Sequence, residues 1–173
     1  MSNNVILFGS QGALGRRVAN AISDYSDMLV SIDMMDDNNS TNNKLLTIKA
    51  DFSNIDDVIK ILEILDGKKF HGMYFAGLLS NSTDTKLLNL NCNSNITGLV
   101  NVINLLKPCL SHFTFISSIS VYGIPEINPI REDAKLKPTT VYGAFKLAGE
   151  HLARVLCAKL DIPLTIFRVT QIF

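Results

Sequence analysis

Gly9-Ser10-Gln11-Gly12-Ala13-Leu14-Gly15 follows the apolar run Val5–Phe8 and opens a helical pattern. Three glycines at this spacing, between a strand and a helix, are typical of a turn that binds a pyrophosphate. Gly9 would make the tight turn, Gly12 would let the backbone approach the phosphates, and Gly15 would let the helix pack against the strand. The first helical turn, with Ala13 and Leu14, would offer its N–H groups to the phosphates.

Around this stretch, short apolar runs alternate with longer helical patterns. The runs are continuous in hydrophobicity, as expected for strands that helices cover on both faces. We therefore predict an α/β fold, a doubly wound parallel sheet of the Rossmann type in three layers. The predicted strands are Val5–Phe8, Met28–Ile32, Leu45–Ile48, Met73–Phe75, Phe113–Ile116 and Leu164–Val169.

Four segments have apolar residues at helical spacing, which predicts helices over Gly12–Tyr25, Asn54–Leu65, Asp84–Leu106 and Thr139–Leu160. Ser53 with Asp56 three residues later suggests a capping box at the second of them. In the third, one face carries an apolar stripe, which we expect to be buried: Leu88, Cys92, Ile96, Leu99 and Ile103.

Length and composition predict one domain over residues 1–173. Lys plus Arg and Asp plus Glu both number 16, so no net charge favours nucleic acid or an anionic membrane. The three cysteines, Cys92, Cys109 and Cys157, are expected to be core thiols, and no metal site is predicted. The N-terminus lacks the pattern of a signal peptide or membrane span, which predicts a cytoplasmic protein.

Asp33 ends the second predicted strand, at the spacing from the glycines where a carboxylate accepts from the ribose hydroxyls of NAD. Asp36 and Asp37 follow and would repel a 2′-phosphate, so NAD is favoured as the cofactor. Arg16 and Arg17 leave NADP as a less favoured alternative. Asp33 could instead only cap a turn.

Tyr142 and Lys146 are four residues apart, a spacing that stacks side chains on one helical face. A cation beside a phenol favours the phenolate and would bring the tyrosine toward a pKa useful for proton transfer. The strand Phe113–Ile116 ends in a run of serines, whose hydroxyls could bind a substrate oxygen. Surface packing is the alternative interpretation of the Tyr/Lys pair.

Several motifs together resemble the extended short-chain dehydrogenase/reductase family, which includes nucleotide-sugar epimerases and dehydratases. Their order and spacing match that family over nearly the whole chain: Gly9-x-x-Gly12-x-x-Gly15, Asp51-Phe52, Phe75-Ala76-Gly77, Asn95-x-x-Gly98, Ser117-Ser118-x-x-Val121-Tyr122-Gly123, Arg131-Glu132-Asp133, Pro138 and Tyr142-Gly143-x-x-Lys146. Phe75-Ala76-Gly77-Leu78 is especially similar to the UDP-sugar 4-epimerases, whereas Leu79 replaces a lysine that some of them carry.

The resemblance implies roles for individual residues. Tyr142 would be the general base or acid, Lys146 would bind the nicotinamide ribose and lower the tyrosine pKa, and Ser118 would orient the substrate oxygen. Asp51 and Phe52 would contact adenine. The other implied cofactor contacts are Phe75, Ala76, Gly77, Leu78 and Asn95. Arg168 matches a family arginine that either binds phosphate or forms an ion pair.

The resemblance implies an NAD-dependent epimerase or dehydratase acting on a nucleotide-sugar. An NAD(P)-dependent reductase and a non-catalytic cofactor-binding module are the alternatives. The family's smaller C-terminal substrate domain is missing after the last strand, and the abrupt stop favours truncation. In similar proteins the two long helices pair across a two-fold axis, which predicts a homodimer.

Overall fold

A computed structural model of the protein describes residues 3–35, 45–125 and 127–170. Its centre is a six-stranded sheet in the order β3-β2-β1-β4-β5-β6, and every pairing is parallel. The first three strands are added outward from β1 to β3, and the next three are added on the other side of β1, from β4 to β6. This strand order is that of a Rossmann fold. The strands are β1 Asn4–Phe8, β2 Met28–Asp33, β3 Leu45–Lys49, β4 Phe70–Tyr74, β5 Leu110–Ser118 and β6 Leu164–Val169.

Helices connect the strands and cover both faces of the sheet. They are α1 Ala13–Ile22, α2 Ile55–Leu65, α3 Thr85–Cys92, α4 Gly98–Leu105 and α5 Val141–Lys159. A π turn, Asn93–Thr97, joins α3 to α4, and short 3₁₀ turns occupy Lys107–Cys109 and Ile119–Val121. The long predicted helix Asp84–Leu106 is therefore one helical run that a π turn interrupts.

Alternate side chains of the strands face two separate cores. The larger core packs Phe8, Tyr74 and Phe113 against α2, α4 and α5, while the smaller one packs Val5 and Leu7 against α1. Helices on both faces give the three predicted layers, so the predicted fold class is confirmed. The continuous apolar runs were informative because both faces of the central strands, such as β1 and β2, are buried, whereas the edge strands β3 and β6 are mostly half-buried.

Two details of the predicted helices are wrong. Asn54, not Ser53, is the N-cap of α2, where its side chain accepts a hydrogen bond from the Asp56 N–H. In α3, Cys92, which was expected to be a core thiol, is exposed, whereas Asn91 and, in the following π turn, Asn95 are buried. The predicted apolar stripe therefore fails in α3, where the buried face carries amides.

The carboxyl ends of the strands meet at one edge of the sheet, and loops from β1, β2, β4 and β5 converge there. In this architecture ligands bind at that edge, where the strand order reverses. Asp36 and Asp37, invoked against a 2′-phosphate, lie outside the described residues. Among the helices of the described ranges, none has the length and apolar character needed to cross a bilayer.

Candidate active site

The glycine turn after β1 is shaped by contacts that exclude side chains. Gly9 has φ +85°, a conformation that favours glycine, and a Cβ there would lie 2.5 Å from the Ala76 nitrogen. A Cβ on Gly15 would overlap the Gly9 carbonyl oxygen and approach the Ser10 Cα to 3.0 Å. Gly9 is thus required by its backbone conformation and by the close approach of Ala76, and Gly15 by the packing of α1 onto the turn.

Gly12 differs because its surroundings are open. It is the exposed N-cap of α1, has no side-chain cap, and a Cβ there would meet only the Gly9 carbonyl at 3.4 Å. The first helical turn, Ala13 to Gly15, therefore keeps backbone N–H groups and the positive end of the helix dipole for an anion. This uncapped turn fits the pyrophosphate of a dinucleotide.

A groove of about 490 Å³ extends from this turn along the carboxyl edge of the sheet. Nine of the predicted cofactor residues line it: Gly9, Gly12, Asp33, Asp51, Phe52, Phe75, Ala76, Gly77 and Leu78. Further lining residues were not predicted, namely Gln11, Met34, Met35, Ser53, Leu90, Asn93 and Ser94. Gly15 and Asn95 are buried outside the lining.

Asp33 holds the glycine turn in place. Its Oδ2 accepts from the Gln11 N–H at 2.8 Å, and its Oδ1 accepts from the Met35 N–H at 3.1 Å. Asp33 therefore does cap a turn, as the alternative interpretation held. Each carboxylate oxygen has capacity for a second donor, so the half-buried group can also accept from a ribose in the groove it lines.

Tyr142 and Lys146 share one face of α5, as predicted from their spacing. The Lys146 Nζ lies 5.8 Å from the centre of the Tyr142 ring and donates to the Ile116 carbonyl at 3.0 Å. Lys146 is only 4% exposed. A Cβ placed on Gly77 would lie 3.2 Å from the Lys146 Nζ, so the ammonium sits at the end of the groove.

The pKa values differ from the sequence-based expectation. Burial raises the pKa of Tyr142 above its ordinary value, and burial lowers the pKa of Lys146 to about 8. Loss of solvent disfavours the charged form of each group, which moves the two pKa values in opposite directions. In the protein alone, Lys146 does not lower the pKa of Tyr142.

Ser118 is the last residue of β5 and the N-cap of the following 3₁₀ turn. Its hydroxyl donates to the Ser120 Oγ at 3.1 Å and accepts from the Ser120 N–H at the same distance. A Cβ on Gly143 would lie 2.5 Å from the Ser120 carbonyl oxygen. The serine turn that Ser118 opens and the first turn of α5, which carries Tyr142, are therefore in direct contact.

Asn95 lies in the π turn and is buried behind Gly77. Its amide nitrogen donates to the Asn91 and Leu78 carbonyls, while its Oδ1 lacks a hydrogen-bond partner within the described part of the chain. A Cβ on Gly77 would overlap that oxygen. A buried acceptor without a partner beside the Lys146 end of the groove favours a bound group there, and π turns are frequent at functional sites.

Two contacts near the site were missed by the sequence analysis. Asn81 accepts from the Tyr142 N–H through its Oδ1 at 3.1 Å, tying the loop after β4 to the start of α5. Glu150, one turn after Lys146, is fully buried and accepts hydrogen bonds from Ser117 and Arg168. No local spacing signals the second contact, because Glu150, Ser117 and Arg168 come from three separate elements. Arg168 thus forms an ion pair in the protein alone.

The side chains that commonly bind metal ions are dispersed over the part of the chain that the structure describes. Across residues 3–35, 45–125 and 127–170, no three His, Cys, Asp or Glu residues come together as metal ligands would. His71 and His112 are neighbours, with ring centres 4.6 Å apart, and each Nε2 is hydrogen-bonded to a threonine hydroxyl.

Comparisons with known proteins agree with this geometry. The sequence model of the NAD dependent epimerase/dehydratase family matches residues 5–173. A UDP-glucose 4-epimerase of Azospirillum brasilense is 30% identical over 159 residues, which are 88% of this chain and 44% of that protein. A UDP-glucose 4-epimerase of Dictyostelium discoideum is 39% identical over 87 residues, which are 50% of this chain and 25% of that protein. The chain spans at most about half the length of these relatives.

Solved structures share the fold. The UDP-glucuronic acid 4-epimerase of Bacillus cereus in complex with NAD has a TM-score of 0.82 at 24% identity, covering 98% of this chain and 57% of that one. The same enzyme in complex with UDP-glucuronic acid and NAD has a TM-score of 0.81 at 25% identity over 95% of this chain and 55% of that one. The predicted family is thereby confirmed, and NAD as the cofactor is confirmed at the level of the family.

Proposed function

The chain belongs to the NAD dependent epimerase/dehydratase family, and we propose that it supplies the NAD-binding and proton-transfer part of a nucleotide-sugar epimerase or dehydratase. The observation that carries the proposal is the arrangement of two sets of residues. The glycine turn and Asp33 line one end of the groove. The Lys146 ammonium closes the other end, with Tyr142 one helical turn away and Ser118 on the adjoining turn.

NAD, when bound, supplies reversible hydride transfer. The chain's own residues handle the proton and the orientation of the sugar. The Tyr142 phenolic oxygen accepts the proton of a sugar hydroxyl while that carbon is oxidised to a ketone, and returns a proton when the ketone is reduced. The Ser118 hydroxyl turns from Ser120 to donate to the same sugar oxygen. Epimerisation would require the keto sugar to present its opposite face while Tyr142 holds the proton that it returns.

Lys146 has two tasks in this proposal. Its ammonium holds the ribose next to the nicotinamide, and it stabilises the phenolate of Tyr142 during the reaction. Burial lowers the pKa of Lys146 to about 8, so a bound acceptor such as a ribose hydroxyl would help to keep it charged above neutral pH. The unpartnered Asn95 Oδ1 lies on the same side of Gly77 and accepts a hydrogen bond from the bound cofactor or an ordered water.

The test is a direct assay of the chain with NAD and UDP-glucose, followed by ¹H NMR of the anomeric protons. Formation of UDP-galactose would support an epimerase, and a 4-keto-6-deoxy sugar would support a dehydratase. Stoichiometric release of NADH would instead support the reductase alternative. If calorimetry shows that NAD binds but no nucleotide-sugar is converted, the result would support the alternative of a non-catalytic cofactor-binding module. A chain that binds neither NAD nor a nucleotide-sugar would contradict the proposal.

We also propose a homodimer. Leu87 on α3 is 38% exposed and Val155 on α5 is 54% exposed, and α3 and α4 pack against α5. These apolar side chains suit a four-helix contact across a two-fold axis. Sedimentation velocity should show a dimer at micromolar concentration, weakened by Val155→Glu; a species that is monomeric at all concentrations contradicts this.

A further inference from the structure

Behind the candidate active site lies a buried ionic network centred on Glu150. The carboxylate is fully buried and accepts from the Ser117 Oγ at 2.6 Å and from Arg168 through two nitrogens at 2.9 Å each. The half-exposed Arg154 adds a third partner at 3.1 Å. Burial alone would raise the pKa of Glu150, but the hydrogen bonds from Arg168, Ser117 and Arg154 lower it instead, so the carboxylate is charged.

The network joins three elements of the site. Glu150 lies on α5 one turn after Lys146, Ser117 directly precedes Ser118 at the end of β5, and Arg168 is the last residue but one of β6. Arg168 also donates to the Tyr122 hydroxyl at 2.7 Å and to the Glu132 carbonyl at 2.9 Å. The segment that follows the serine turn is therefore held by the same guanidinium.

Two polar contacts fix α5 against β5. Lys146 donates to the Ile116 carbonyl, and one turn later Glu150 accepts from the next residue, Ser117. Apolar packing has little directionality, so on its own it would allow a helix to slide along a strand. Two hydrogen bonds to consecutive residues of the strand prevent such sliding. The network thus sets where Tyr142 and Lys146 stand relative to Ser118.

Stability is a poor explanation for such a network. Burying two charges costs about as much as their attraction returns, and apolar residues of similar volume often stabilise a core better. We infer that Glu150 is a positioning residue, whose carboxylate fixes the register between α5 and the end of β5 and so aligns Ser118, Tyr142 and Lys146. The inference rests on the proposed proton-transfer function of those three residues.

The principal test compares Glu150→Gln with the neutral pair Glu150→Gln/Arg168→Gln in steady-state assays with NAD and UDP-glucose. Glu150→Gln leaves a buried cation unpaired and should lose both stability and rate. The neutral pair should regain thermal stability but not rate. We expect kcat to fall roughly 10- to 100-fold in both, the effect of a misplaced reacting group, with KM changed by less than about threefold.

Two controls separate positioning from general destabilisation. Cys157→Ala removes a buried side chain from α5 two turns further on, outside the network. Arg154→Gln removes the more exposed cation from the same carboxylate, with its side chain 45% exposed. Both should keep near-normal kcat in folded protein. The inference is overturned if the neutral pair regains kcat together with stability, or if Glu150→Gln slows the enzyme no more than Cys157→Ala does.

A second measurement does not depend on turnover. The phenol of Tyr142 is titrated by NMR in ¹³C-tyrosine-labelled chain, with Tyr142→Phe for assignment. In the neutral pair the net charge of the network is unchanged, so a change in the pKa of Tyr142 reports geometry. We expect this pKa to fall toward its ordinary value as the phenol becomes less buried; an unchanged pKa overturns the inference.

The outcomes distinguish the two proposals. A wild-type chain without turnover, but with a shifted Tyr142 pKa in the neutral pair, would contradict the proposed function and retain the positioning role. If Glu150→Gln fails to fold, Ser117→Ala tests the same link because it removes only the 2.6 Å hydrogen bond. Ser117→Ala should also lower kcat, by a smaller factor than Glu150→Gln. An unchanged kcat would count against the inference.

Discussion

The two ends of the groove are built by different means. At the glycine turn, backbone geometry makes the site: positive φ at Gly9, close approach at Gly15 and an uncapped helix at Gly12. At the α5 end, buried side chains make it, because Lys146, Glu150 and Asn95 are almost fully enclosed. The first end depends on the absence of side chains, and the second on charged groups held where water cannot reach them.

This difference predicts how each end responds to substitution. Adding atoms should damage the glycine end, whose shape and phosphate contacts would change together. Removing single polar atoms should damage the α5 end, where the chemistry is lost while the fold persists. The predictions that follow test this contrast.

The largest effect is expected for Tyr142→Phe, which removes one oxygen from the α5 end. Turnover should fall by roughly 10²- to 10⁴-fold, the range for losing a positioned proton-transfer group. NAD affinity should stay nearly constant, since the half-buried ring remains in place. Initial rates and calorimetry on the same preparation check both parts. Near-normal turnover in folded Tyr142→Phe protein would contradict proton transfer by this residue.

Next in size is a contrast between two glycines. Gly15→Ala should lower stability by about 1–3 kcal/mol, because the new Cβ overlaps the Gly9 carbonyl, and should abolish NAD binding. Gly12→Ala meets an atom only at 3.4 Å, so it should fold normally yet bind NAD roughly tenfold more weakly, a loss of about 1.4 kcal/mol. Urea unfolding and calorimetry measure the two quantities. Equal stability losses in both variants would contradict the different roles.

The sequence was sufficient to predict the glycine end, because backbone constraints leave a local record in residue type. Gly15 is a glycine because of Gly9 and Ser10 in the same turn, and Gly9 has a local reason in its positive φ, although a Cβ there would also meet the distant Ala76. The α5 end was only partly predicted. Lys146 was identified by its spacing from Tyr142, but the pKa directions depend on burial, which arises from distant segments.

The Glu150 network shows why the remainder could not be predicted. Its members Ser117, Glu150 and Arg168 come from three elements, and only the folded sheet brings them together. The π turn is a second example, since it places Asn91 and Asn95 inward where regular helical spacing predicts Cys92. The predicted strand bounds were also too short. For example, β5 begins three residues before the predicted strand Phe113–Ile116 and ends two residues after it.

A smaller effect is expected at Asp33, where the two roles of one carboxylate can be separated. Asp33→Asn keeps an oxygen to accept from the Gln11 N–H, but removes the charge and the acceptor for the Met35 N–H. NAD affinity should fall about tenfold, within the range for hydrogen bonds to a charged group, while NADP affinity should rise or stay constant. Calorimetric titration of both dinucleotides checks the ratio. Tighter NADP than NAD binding by the unaltered chain would contradict the assigned role.

The smallest effect concerns Lys146 and tests whether the α5 end is as dehydrated as its burial indicates. Because the folded-state pKa is about 8 and the ordinary value is 10.5, the unfolded chain binds more protons between these values. The contribution of Lys146 to stability should therefore rise with pH in that window. Above pH ~10 the raised pKa of Tyr142 acts in the opposite sense, so urea unfolding is best compared between pH 8 and ~10. Relative to Lys146→Met, which lacks the titrating group, the wild-type chain should gain about 1 kcal/mol across this range. A difference that stays constant with pH would mean that the ammonium is solvated in the folded protein, and the contrast between the two ends of the groove would then be weaker than the structure indicates.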